Sequence, residues 1–126
     1  MYLSLITIAS GAAFGAILRW LLALSLNTLH STIPYGTLAA NWIGAYLAGM
    51  AATFLTHYVD IAPQWRLLII TGFLGGLTTF SSFSLEAVQL LQTHRWGLVL
   101  THTLLHTGGS IILTILGMLS MQWMIR

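Results

Sequence analysis

The stretch Gly72-Phe73-Leu74-Gly75-Gly76-Leu77-Thr78-Thr79-Phe80-Ser81-Ser82-Phe83-Ser84 sets three glycines and five hydroxyl side chains inside an otherwise apolar sequence. Glycine weakens a helix through backbone entropy, and hydroxyls do so by competing for backbone hydrogen bonds. The rest of the chain is suited to a membrane, with 57% hydrophobic residues, 5% charged residues and a mean hydropathy of +0.89. A soluble globule of 126 residues needs more polar surface than that, so the composition predicts an integral membrane protein. In hydrocarbon an irregular backbone survives only where protein or a water-filled cavity surrounds it. The quoted segment therefore predicts a broken helix, and broken helices at bilayer depth mark the site of a transported ion.

Working outward, a bilayer core takes roughly 20 apolar residues per helix, and four such stretches fit between the punctuating residues. They cover about residues 3–26, 35–59, 67–91 and 97–125, as one membrane domain. The polar, Pro-containing run from Asn27 to Pro34 separates the first two. Asp60, Pro63, Gln64, Trp65 and Arg66 form an interfacial turn before the third, and Thr93, His94, Arg95 and Trp96 form one before the fourth. The fold class expected is all-α, with a break in the third span. The amino end lacks the positive n-region of a signal peptide, so the first span is read as a retained helix.

The composition also excludes several functions. Having no Cys, the chain can hold neither a disulfide framework nor a Cys-rich zinc site. Four Arg against one Asp and one Glu are too sparse for a nucleic-acid surface. Counted by side, Arg66 and Arg126 fall on one face of the membrane and Arg19 and Arg95 toward the other, so charge sets no direction of insertion. Copies inserted both ways can pair about an in-plane two-fold axis, which predicts an antiparallel dual-topology homodimer. Small residues supply the close approaches: Gly36, Ala40, Gly44, Ala48 and Ala52 recur every four residues, Gly11 pairs with Gly15, and Gly72 pairs with Gly76. Which of these pack within a chain and which between chains is open at this stage.

Polar residues inside such spans are costly, so their alignment is informative. Thr7, Gly11, Gly15 and Arg19 share a face, and Arg19 either snorkels to an interface or lines an aqueous vestibule that concentrates anions. Asn41 is either interhelical glue or a donor to a dehydrating anion. His102, His106, Ser110 and Thr114 recur every four residues as a polar track. The two His have metal-pair spacing, but no carboxylate or Cys lies near them in sequence, which favours a hydroxyl-lined track over a metal site. A break near Gly75 to Thr79 would orphan carbonyls of Gly75 and Thr78, which a two-fold axis would double into a hard-oxygen cage for an alkali cation. Phe80 and Phe83 stand three apart, placed either for ordinary packing or to turn positive ring edges toward an anion beside Ser81.

The run from Gly75 to Phe83 closely resembles the signature of the Fluc (CrcB) fluoride channels, and the runs 11–19 and 36–44 are similar to that family's first-helix and second-helix patterns. The resemblance spans the chain. It implies an antiparallel dimer in the bilayer, two fluoride pores, a central structural Na+, and passive export of fluoride that enters cells as HF. By position it implies Phe80 and Phe83 as an aromatic box, Asn41 and Ser81 as pore residues, and Ser110 and Thr114 as the fourth-helix track. It likewise gives Gly75 and Thr78 as main-chain Na+ ligands and Arg19 as a vestibule residue, in a bacterial inner membrane. Three departures stand out: Ser82 where Thr is usual, Ser10 in place of a frequent Gly, and His106 in place of a frequent Tyr.

The rival expectation is a proton-coupled small dual-topology efflux transporter. Such a protein needs a membrane-embedded carboxylate, and Glu86 is the candidate, with its role and that of His106 open from sequence. An enzyme is not expected, because no nucleophile stands with a base.

Overall fold

A computed structural model describes residues 1–29 and 32–126. His30 and Ser31, part of the polar turn expected after the first span, lie outside the described residues. The described residues are helical with short turns: α1 (Tyr2–Leu26), α2 (Tyr35–His57), α3 (residues 63–77), α4 (Phe80–Gln92) and α5 (Trp96–Met124). α3 and α4 are the two halves of one span, so the chain has four helices long and apolar enough to cross a membrane. It is a multi-pass integral membrane protein. The outer surface agrees, since large apolar side chains such as Ile6, Phe14, Leu104 and Ile115 stand exposed along the helices, where water would penalise them and lipid does not. Trp65 and Trp123 mark one end of the bundle and Trp20 and Trp96 the other, also exposed, as interfacial aromatics are.

α3 is not uniform. After one α turn, Pro63–Arg66, it widens into a π-helical stretch, Leu67–Leu74, and tightens again at Gly75–Leu77. The chain then leaves helical geometry: Thr78 has φ −83° and ψ 153°, and Thr79 has φ −149° and ψ 120°. The expected break is thus two residues long and sits between Leu77 and Phe80.

The break changes the span's neighbours. α3 lies along α1, whereas α4 lies along α5. The first contact depends on glycine at both surfaces: a Cβ on Gly11 would meet Leu68 O and Phe73 N, and one on Gly76 would meet Ala12. Both GxxxG pairs therefore pack α1 against α3 within one chain. α2 and α5 form the other large contact, with Gly49 against the Thr114 carbonyl and Gly117 against that of Tyr46. The small core is Ala40, Leu74 and Leu77, where α2 meets the end of α3.

Candidate functional site

Leaving the helix at Thr78 strands backbone groups that the bilayer cannot satisfy, and named side chains take them up. Thr79 N–H, which a continuous helix would aim at Gly75 O, donates instead to Asn41 Oδ1 at 2.7 Å. Asn41 Nδ2 returns the bond to Thr79 O at 3.0 Å. Arg19 Nε donates to Gly76 O at 3.0 Å, which places a half-buried cation beside the break. Thr79 Oγ1 accepts from Ser82 N at 3.1 Å and so caps α4. Thr79 and Thr37 were not singled out by sequence reasoning, although Thr37 precedes Asn41 by one helical turn and so shares its face.

The same Asn41 amide reaches α5. Its Nδ2 lies 3.0 Å from His106 Nδ1. Because Thr79 N–H can only donate and Thr79 O can only accept, the amide's orientation is fixed, so His106 Nδ1 accepts and the ring's proton resides on Nε2. Both amide hydrogens of Asn41 are thus engaged. His106 Nε2 is buried with no hydrogen-bond partner among the described residues.

Phe80 and Phe83 have ring centroids 5.4 Å apart at 54°. Phe83 is buried, 5.2 Å from the ring of His102 and 4.8 Å from that of His106, whereas Phe80 is 78% exposed. A cavity of about 520 Å³ runs along this face, lined among others by Asn41, Gly75, Thr78, Phe80, Phe83 and Ser110. The break, the aromatic pair and His106 and Ser110 of the α5 track therefore open onto one space. Ser81 is exposed at the start of α4, with its hydroxyl 3.2 Å from that of Thr79. Thr114 lies one turn beyond Ser110 and donates its hydroxyl to Ser110 O at 2.9 Å, so its oxygen keeps only lone pairs to offer.

Glu86 is half-buried on α4 and stands apart from that cavity. Its Oε2 accepts from Thr37 Oγ1 at 2.7 Å, and its Oε1 is 3.5 Å from His102 Nε2. A second cavity of about 250 Å³, lined by Pro34, Gln89, Thr93 and Arg95, reaches Glu86 from the bundle end that carries the α1–α2 and α4–α5 turns. His106 lines the first cavity and Glu86 the second, so the cluster of Glu86, His102 and His106 touches both. Sequence reasoning could not bring Glu86 to the His pair, because α4 meets α5 only through the tertiary fold.

Comparison with known proteins adds an independent line. A family model described as CrcB-like protein, Camphor Resistance (CrcB), matches residues 6–118. The chain is 54% identical over 125 residues to the fluoride-specific ion channel FluC of Pseudomonas aeruginosa (strain UCBPP-PA14), across 99% of this chain and 98% of that one. It is 50% identical over 117 residues to the protein of that name from Chromohalobacter salexigens, across 93% of this chain and 89% of that one. For its namesake in Chromobacterium violaceum the identity is 48% over 126 residues and the full length of both chains.

Proposed function

The chain belongs to the CrcB family, and on that ground we propose that it is a passive, fluoride-selective channel that exports fluoride from the cell across the bacterial inner membrane. The observation that carries the reading is that Asn41, Phe80, Phe83 and Ser110 share one cavity with the helix break. Fluoride is small and strongly hydrated, so a path for it must replace water with converging donors and positive edges at close range. The aromatic pair supplies ring edges, Ser81 and Ser110 supply hydroxyls, and Arg19 supplies positive charge near the break. Asn41 serves first as the clamp on Thr79, and it faces an anion when its bond to His106 opens.

The working unit is an antiparallel homodimer in the lipid bilayer. Support comes from the balanced Arg count and from Phe80, exposed on a face where a second copy would cover it. A structural Na+ at the two-fold axis fits the residues present: Gly75 is exposed, and its carbonyl loses the Thr79 donor to Asn41. Carbonyls of Gly75 and Thr78 would hold the ion, and its charge would lower the cost of an anion nearby.

The test is halide efflux from liposomes loaded with KF or KCl and opened with valinomycin. Rapid fluoride release, no chloride release and no requirement for a pH gradient are expected. Proton movement driven by another substrate, together with silence toward fluoride and loss of all transport in Glu86→Gln, would replace this reading with the proton-coupled exporter.

A further inference from the structure

Four buried polar atoms lack a hydrogen-bond partner among the described residues: Glu86 Oε1, His102 Nδ1, His102 Nε2 and His106 Nε2. They belong to three neighbouring side chains, and one of these, His102, is fully buried. Unpartnered polar atoms at this depth are expensive, and their convergence calls for an occupant. We propose that Glu86, His102 and His106 form a binding site for a divalent transition metal, Zn2+ in the first instance, and that the bound ion stops conduction.

The donor set is that of a three-ligand zinc site, two imidazoles and one carboxylate with a fourth corner open. Bonds of about 2.1 Å in tetrahedral geometry set neighbouring ligand atoms roughly 3.4 Å apart. His102 Nε2 and Glu86 Oε1 are separated by 3.5 Å, too long for a good hydrogen bond and close to that edge. All three ligand atoms lie within 4.8 Å of one another, so the third must close by at most about 1.4 Å. Thr37 holds the other carboxylate oxygen and fixes the direction of Oε1, as outer-shell partners of metal ligands do. The cavity that reaches Glu86 provides an approach, with Arg95 on its lining as an opposing charge.

Binding has a structural cost that ties it to the conduction path. Nε2 of His106 can take a metal only if the ring's proton moves to Nδ1, and Nδ1 is where Asn41 donates. Metal and the Asn41 hydrogen bond are mutually exclusive. An ion there also ties His106, on the lining of the first cavity, to Glu86, on the lining of the second. The metal site follows from the side chains alone, whereas its effect on flux rests on the channel reading above.

Cobalt titration of the purified full-length protein tests the site without reference to transport, because four-coordinate Co2+ absorbs strongly in the visible. One saturable, Zn2+-displaceable site per chain is expected, weakened at least tenfold in both His102→Gln and Glu86→Gln, each checked for wild-type elution by size exclusion. No saturable spectrum, or one retained in either correctly eluting variant, would overturn the assignment, the latter pointing to His57 or His94. Zn2+ added to fluoride-loaded liposomes should slow efflux at least tenfold and chelator should restore it; undiminished efflux from metal-saturated protein would overturn the block. Failure to conduct even in chelator would instead count against the channel, leaving the titration interpretable.

Discussion

At the scale of single residues the break is held by side chains that each answer one stranded backbone group. Asn41→Asp keeps the acceptor for Thr79 N–H but removes the donors to Thr79 O and His106, and it sets a negative charge beside the anion path. Phe80→Ile removes ring edges from an exposed position without touching the core. Both variants are expected to suppress fluoride efflux from liposomes while still assembling; normal flux in both would refute the pore assignment. Thr79→Ala deletes the cap on Ser82 N and should cost about 1 kcal/mol, read as a lowered unfolding midpoint in detergent. Much of this was visible in residue types, since glycines and hydroxyls in an apolar run announce a break. The pairing of Asn41 with Thr79 was not, because 38 residues separate them and only the packing of α2 on α3 makes them neighbours.

Between elements, the chain relies on backbone-to-backbone approach, because lipid gives helices no hydrophobic reason to associate. Gly76→Val and Gly49→Leu are expected to leave little folded protein, since each places a side chain against a neighbouring helix's backbone. Gly97→Ala, where an added Cβ meets nothing within 4 Å, should express and elute as the wild type. Expression with monodisperse size exclusion decides it. Spacing in the sequence pointed to Gly11, Gly15, Gly72 and Gly76 as contacts, and they are contacts within the chain. It gave no hint of Gly49 and Gly117, whose partner surfaces are distant in sequence, nor of the π-helical stretch 67–74, which no residue type marks.

For the whole molecule, the even split of Arg between the two faces bears on how the chain inserts. A reporter fused to the C-terminus should give signal from both sides of the membrane, because two Arg stand toward each face. Signal from one side alone would refute dual topology and with it the two-fold axis. The four spans were legible because hydropathy at this length has few readings; the position of Glu86 was not, because it depends on which neighbour each half-span chooses. That choice has a consequence for biosynthesis. The half-span 63–77 finds its partner, α1, already made, but Phe80–Gln92 packs on a helix that the ribosome has yet to finish. Until α5 is in place, Phe83 has no imidazole to lie against and the Glu86 carboxylate has only Thr37. The two imidazoles beside Phe83 are therefore added last, so a chain lacking its final helix would carry the Phe80–Phe83 pair without the wall that faces it.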